Sequence, residues 1–249
     1  MEINTKEQAK GSQTARAGFQ NETDVIETFN AWETNTIAQA WLEKMNYVIE
    51  DIEFVQAEKI KGSFKADIQV RVTIKLKSLL DVQNIQVKLV SNKKGFNQID
   101  KRWVHKYVEL WQIPAEVETL LKHYTGELPP YRTDVKDARR MFIDEFTEEE
   151  QTVLSNFLNT HKVLILSDIL KGRGTFAAEW MLVVRKTTIE EWVLEPINKV
   201  LDFYAQGDVQ FTEKGNIKIG RVTCQRKGGD GGRKTANMLQ FKIDPTTLF

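Results

Sequence analysis

Between Phe64 and Leu89 the chain alternates twice, and that pattern restricts the fold more than any other feature of its 249 residues. Phe64, Ala66, Ile68, Val70, Val72 and Ile74 fall on one side of a run whose other side carries Lys65, Asp67, Gln69, Arg71 and Thr73. A two-residue period is that of a half-buried strand, because successive side chains of an extended chain point to opposite faces. Ile85-Gln86-Val87-Lys88-Leu89 repeats the pattern and puts Gln86 and Lys88 on one face. If the two strands are neighbours, a carboxylate (Asp67), an amide (Gln86) and an ammonium (Lys88) converge. An acid with an oxygen-bearing side chain can hold a hard cation, and a lysine beside them can handle a proton or phosphoryl charge. A surface hairpin with ordinary polar residues would show the same alternation.

Apolar content of 41% and charged content of 28% are those of a globular chain, long enough for one large domain or two small ones. No apolar run has the length of a membrane span, and the first residues lack an apolar signal-peptide core, so a cytoplasmic location is expected. The single Cys224 excludes an internal disulfide, and one Cys with scattered His105, His123 and His161 argues against a zinc site. Net charge is zero but unevenly spread. Gly18 to Glu53 carries eight acids and one Lys, whereas Gln86 to Lys106 and Arg221 to Lys242 each carry six basic residues and one acid. Two basic segments in a neutral chain suit a polyanion held in one cleft, although solvated faces are often uneven too.

The first eighteen residues read as polar and loosely held. Asn21 to Trp32 reads as a helix, with Val25, Ile26, Phe29 and Trp32 as its apolar stripe. Glu22 lies on or beside that stripe, either as a first-turn charge favoured by the helix dipole or as a carboxylate directed inward. Helices are expected at Thr34 to Met45, Ile99 to Gln112, Pro114 to Tyr124, Asp134 to Phe146, Thr147 to Asn159 and Ile197 to Tyr204. Leu128-Pro129-Pro130-Tyr131 is the best internal boundary. Val163 to Ser167 reads as a buried strand, and Gly172-Arg173-Gly174 after it resembles a dinucleotide fingerprint on paper. That match lacks its strand–loop–helix context, since Ala178 to Lys186 has no helical stripe.

Two polar loops are candidates for contact with nucleic acid. Lys93, Lys94, Phe96, Asn97 and Gln98, with Lys101 beyond, combine cations for phosphate, a ring for stacking and amides for base edges. A loop anchored to the core by its Phe is the competing picture. In the second loop four Gly stand among Gln225, Arg226, Lys227, Asp230 and Arg233. Glycines let a backbone approach closely, Arg and Lys suit guanine O6 and N7, and an acid suits cytosine N4. A mobile surface loop would also be rich in Gly.

Asp67, the run Gln86-Val87-Lys88-Leu89-Val90-Ser91-Asn92-Lys93-Lys94-Gly95-Phe96-Asn97-Gln98-Ile99-Asp100-Lys101, then Gly126-Glu127-Leu128-Pro129-Pro130-Tyr131, Gly172-Arg173-Gly174 and Gln225-Arg226-Lys227-Gly228-Gly229-Asp230 are similar to the type II restriction endonucleases of the HinP type. The likeness runs in the same order along nearly the whole chain, and a more distant one is to the CCGG-cutting MspI enzyme. It implies an α/β fold with a mixed central β-sheet flanked by helices, the PD-(D/E)XK nuclease arrangement. It implies one endonuclease domain over 1–249, with a catalytic part at about 18–125 and recognition elements at about 160–249.

Carried onto this chain, the resemblance makes Asp67 the metal carboxylate, Gln86 the stand-in for the second acid and Lys88 the motif lysine. Glu22 matches a position from which such nucleases bring another carboxylate. Mg²⁺ would be held by Asp67, Gln86 and the Val87 carbonyl. Ala66 departs from the namesake Pro, and Gln86 is neutral, which leaves one metal or two open. The implied partner is duplex DNA containing GCGC, cut after the first G. A companion methyltransferase acts on the same site, and either a homodimer or a monomer nicking each strand in turn can serve a palindrome. A binding module that has lost cleavage and a structure-specific repair nuclease are the alternatives.

Overall fold

Strand-forming alternation and helix-forming stripes sort into two sheets with helices around them. The protein is described as a computed structural model covering residues 5–60, 69–76, 79–92, 94–229 and 233–249. The elements begin with α1 (Thr5–Asn30), α2 (Thr36–Lys44), β1 (Ile52–Lys59), β2 (Gln69–Leu76), β3 (Leu79–Val90) and β4 (Asn97–Arg102). Helices α3 (Val104–Trp111), α4 (Ala115–Thr125), α5 (Glu148–Thr160) and α6 (Lys162–Leu170) follow. The last third holds β5 (Trp180–Lys186), β6 (Glu190–Pro196), α7 (Ile197–Tyr204), β7 (Val209–Phe211), β8 (Ile217–Ile219), β9 (Val222–Arg226) and β10 (Leu239–Ile243).

Two compact units arise, each drawn from three segments of the chain. One comprises Gly11–Asn97, Lys171–Val200 and Asp244–Phe249. Its sheet runs β1-β2-β3-β5-β6 and is mixed: β3 and β5 are parallel and the remaining pairs antiparallel. Val25 and Phe29 of α1 and Trp41 and Leu42 of α2 pack with Val72, Ile74, Ile85, Val87, Leu182 and Val184 into one core. The edge strand β1 is covered: the Asn30 amide donates to the Ala57 carbonyl at 3.2 Å and accepts from the Ala57 N–H at 2.6 Å. A side chain thereby takes the hydrogen-bonding role that a neighbouring strand would fill.

The other unit comprises Met1–Lys10, Gln98–Leu170 and Leu201–Ile243. Its sheet is ordered β4-β10-β9-β8-β7. Tyr107 stacks on Trp111 with ring centroids 4.4 Å apart, and Phe241 meets both edge-on. Three of its buried polar groups find partners within this core. The Trp111 indole donates to Asp168 at 2.9 Å, the Tyr107 hydroxyl to Asp100 at 2.6 Å and the Tyr124 hydroxyl to the Cys224 carbonyl at 3.1 Å.

Several local expectations change. Helix α1 starts at Thr5, ahead of the expected Asn21. Val163 to Ser167 belongs to helix α6: Ile165, Leu166, Ile169 and Leu170 are buried while Val163 and Leu164 are exposed, a helical spacing that a run of four apolar residues conceals. Residues 97–102 are strand β4 and the helix begins only at Val104, because pairing with the distant β10 captures the segment. Asp134 to Phe146 forms turns and a single 3-10 turn at Ile143–Glu145. There the Glu145 carboxylate accepts from the Lys136 and Phe142 N–H groups, offering the backbone an alternative to a helix. The capping box at Thr147 and Glu150 forms as expected. Among the described residues no helix is long and apolar enough to cross a membrane.

Candidate active site

The site is built on β3. This strand pairs with β2 on one side and β5 on the other, so its middle is enclosed, and Asn84 to Lys88 are all buried. Ile85 and Val87 face the core under α1 and α2. Gln86 and Lys88 share the opposite face, aligned with Met181 and Val183 of β5, and are 0% and 5% exposed. An amide and an ammonium so enclosed are the opposite of a solvated hairpin face. Burying a cation costs several kcal/mol unless oxygen ligands or anions surround it, so such a lysine is a marker of a functional site. Gln69 stands opposite Gln86 in the β2–β3 register. Asp67 lies outside the described residues.

The enclosed strand is held in place at Asn84, two residues before Gln86. Its side-chain amide donates to the carbonyls of Thr175 and Ala177 at 3.0 and 3.2 Å. Its backbone N–H donates to the Glu179 carboxylate at 2.6 Å, and its carbonyl accepts from the Glu179 N–H at 2.8 Å. The segment after Gly172-Arg173-Gly174 is thus a strap onto the strand, a 3-10 turn leading into β5. A dinucleotide fold would require a strand before this loop and a helix after it, and neither exists.

Glu22 is mid-helix in α1 and 7% exposed, on the same face as Val25 and Phe29. The first-turn reading therefore falls and the inward-directed one stands. Its Oε2 lies 3.3 Å from Lys59 Nζ at the end of β1, and the Lys59 ammonium also sits 4.6 Å from the centre of the Phe19 ring. Lys59 was not legible as a partner: nothing local in β1 marks it, and only the packing of α1 onto the sheet brings the charges together.

Among the recognition candidates, Phe96 is 61% exposed, which removes the picture of a ring anchoring its loop to the core. Lys94 is exposed, and Asn97, Gln98 and Lys101 are half-buried; Lys93 lies outside the described residues. Gln98 accepts from the Gln240 amide at 2.5 Å, and Gln240 is in register with Gln225 on β9. Three amides from three adjacent strands therefore line one face of the second sheet. Gln240, buried and missed by the sequence reading, stands between the candidate residues Gln98 and Gln225.

Arg226 ends β9, half-buried, and donates to Asn237 at 2.7 Å; Lys227 is half-buried and Arg233 exposed. The backbone bonds Lys227 N–H to Met238 and Gly228 N–H to Ala236 close the base of the glycine loop. Gly228 and Gly229 take φ of +64° and +57°, a conformation that excludes most side chains. Asp230 lies outside the described residues.

The donors that β3 itself offers, the Gln86 amide oxygen and the Val87 carbonyl, are hard neutral oxygens. Joined by a carboxylate they fit a hard divalent cation of the magnesium type, and a softer metal would want His or Cys.

Residues 45–249 match the R.HinP1I restriction endonuclease family; Glu22 lies before the matched region. No curated protein matched the chain. Among solved structures, the restriction endonuclease MspI in complex with its cognate DNA is similar, with a TM-score of 0.58 and 16% identity over 89% of this chain and 83% of that one. At that identity the likeness carries the fold: a mixed sheet flanked by helices.

Proposed function

This chain belongs to the R.HinP1I restriction endonuclease family, and from that premise we propose that it cuts duplex DNA at GCGC, after the first G, leaving 5′ overhangs. It is a type II restriction endonuclease. The observation that carries the catalytic assignment is the enclosed pair Gln86 and Lys88, side by side on the polar face of the central strand. Asp67, Gln86 and the Val87 carbonyl hold Mg²⁺ in this reading, with Glu22 as an accessory carboxylate. The bound ion supplies charge neutralisation at the scissile phosphate and acidity to a water molecule. Lys88 would orient the attacking water by donating to it as an ammonium, or take its proton as the neutral amine, and its enclosure keeps bulk water from competing for that contact. The neutral Gln86 brings one fewer charge than an acid would, so it leaves more of the electrostatic burden to Lys88 and Asp67.

Recognition is assigned to two loops. Gln225, Arg226, Lys227, Asp230 and Arg233 approach the major groove, while Phe96, Asn97 and Gln98 approach the other groove with Phe96 as the wedge. Lys93, Lys94 and Lys101 hold phosphates. A companion methyltransferase would protect the same sequence in the cell.

Incubation of unmethylated plasmid with the protein and Mg²⁺, followed by sequencing of the fragment ends, tests the target. Ends that all begin with CGC support it. Cuts at another sequence, or at junctions irrespective of sequence, reject it. Lys88→Ala is expected to abolish cleavage while a GCGC duplex in Ca²⁺ still binds within severalfold of wild type; undiminished cutting by that variant sinks the lysine's role.

A further inference from the structure

A cluster of arginines in the second unit is not explained by the residues assigned so far. Arg226 Nη2 donates to Asn237 Oδ1 at 2.7 Å, and Asn237 Nδ2 donates to the Gly126 carbonyl at 2.7 Å. Gly126, in turn, lies directly against the chain at Arg140: a Cβ built on it would stand 3.4 Å from the Arg140 Cβ. The Arg140 guanidinium stacks on the Phe142 ring with its Cζ 3.9 Å from the ring centre. Asn237 and Gly126 thus connect the two side chains, and the Arg140 charge is felt at Arg226.

Their charges are only partly compensated: Asp137 acts on both from a distance and Glu145 on Arg140, and burial outweighs these effects. Asp137 is the nearby acid, and it is fully engaged by Arg139, which donates to both of its oxygens at 2.8 Å and adds its backbone N–H at 3.0 Å. No carboxylate among the described residues makes an ion pair with Arg140 or Arg226, and the buried Nε–H of each makes no hydrogen bond. Burial, followed by the neighbouring charges of Arg140 and Arg139, lowers the pKa of Arg226. Burial also lowers that of Arg140. A folded chain that holds two half-buried cations with no carboxylate bonded directly to either keeps donor capacity for an incoming anion.

We propose that Arg140 and Arg226 form a two-guanidinium clamp for one backbone phosphate of the DNA substrate. A base edge is a neutral array of dipoles and leaves two like charges uncompensated, whereas a phosphate brings a full negative charge and the oxygens a pair of forks can engage. The ring of Phe142 and the amide of Asn237 fix the orientation of the two forks before DNA arrives. This rests on the reading of residues 225–233 as part of the DNA-contacting surface. It assigns Arg226 to positioning within that surface, and it adds Arg140, which lies far from either candidate loop in sequence.

The test is binding of the full chain, in Ca²⁺ to block cleavage, to two labelled duplexes that differ only in having or lacking GCGC, across a salt series. Arg140→Gln is expected to weaken binding about 10- to 100-fold on both duplexes alike, the loss of a charge-assisted contact. Arg140→Gln with Arg226→Gln should make the slope of log affinity against log salt shallower by about 0.9, one phosphate's worth, and not twice that. Arg140→Lys should restore the slope without the full affinity. Arg140→Gln exchanges stacking on Phe142 for relief of like charge, so its Tm is measured beside its affinity. A lower Tm with unchanged affinity would make Arg140 structural and overturn the clamp. Loss confined to the GCGC duplex with an unchanged slope would make the pair base readers and overturn it as well. Equal binding of both duplexes by the wild type, with the expected variant effects, would instead reject GCGC as the target and keep the clamp. Binding of neither duplex would reject both.

Discussion

Asn84 offers the sharpest test of how strand β3, which carries the candidate site, is held. In Asn84→Ala two hydrogen bonds disappear, those to the Thr175 and Ala177 carbonyls at 3.0 and 3.2 Å. The Thr175 position is exposed, so water can replace its donor, whereas Ala177 is half-buried and followed by the fully buried Ala178. A replaced bond costs about 0.5–1.5 kcal/mol and an acceptor left dry about 1–3 kcal/mol, for a loss of roughly 2–3 kcal/mol in total. For a chain of this size that corresponds to a fall in Tm of about 5–10 °C. Asn84→Asp keeps the shape but turns two donors into acceptors facing two carbonyls, with the Glu179 carboxylate already on the adjoining N–H. Its cost should be larger, about 3–5 kcal/mol at pH 7, the price of an uncompensated buried charge.

That introduced carboxylate would have its folded-state pKa raised above the ordinary value of about 3.9. Its penalty is then complete above the raised value and shrinks as pH falls toward the ordinary one, so the gap between the two variants should narrow from pH 7 to pH 5. Thermal denaturation followed by tryptophan fluorescence is a suitable assay, because Trp180 donates to Gln83 one residue from Asn84 and reports the same neighbourhood. Equal stability of the two variants at pH 7, or an Ala variant as stable as wild type, would refute the reasoning.

Two further substitutions follow from local geometry. Gly126 ends α4 at φ +84°, and a Cβ there would meet the Arg139 carbonyl at 2.5 Å. Gly126→Ala should therefore cost about 2–4 kcal/mol, combining left-handed strain with overpacking, whereas Gly228→Ala, at φ +64° in open space, should cost only about 1–2 kcal/mol. Urea denaturation of the pair separates strain from clash, and equal losses would show that the clash is relieved by movement. Glu127 accepts from the Val104 N–H at 2.9 Å, and burial raises its pKa above 4.5 against the lowering effect of that bond. Its charged form is thus disfavoured in the fold, and stability is lost as pH rises from 4.5 through the raised value. Glu127→Gln keeps the acceptor and should match or exceed wild type at pH 7, with the advantage gone near pH 4.5 in parallel melts.

Much of the strand that carries the candidate site was legible because its signal is local. A period of two places Gln86 and Lys88 on one face whatever surrounds them, and β3 bears this out. That the face is enclosed was not legible, since enclosure depends on β5, which joins β3 in parallel from more than ninety residues away. The same limit explains the errors. Residues 97–102 have no strand pattern of their own and become β4 by pairing with β10, while the apolar run at 163–166 hides a helical period behind two exposed residues. Glu22 could be placed near an apolar stripe, but its inward direction required the length of α1. Arg140 carried no signal beyond the doublet Arg139-Arg140, because Arg226 reaches it only through Asn237 and Gly126.

The order of segments has a consequence for engineering. The chain passes between its two units at residues 10/11, 97/98, 170/171, 200/201 and 243/244. A nuclease whose cutting and reading parts were strung on one linker could have its specificity exchanged by recombination at that linker. Here a single crossover always divides at least one unit, so a transplanted carboxy-terminal half would arrive without strands its sheet requires. Changing specificity in such a chain by substitution within the loops leaves both units whole, which a single crossover cannot do.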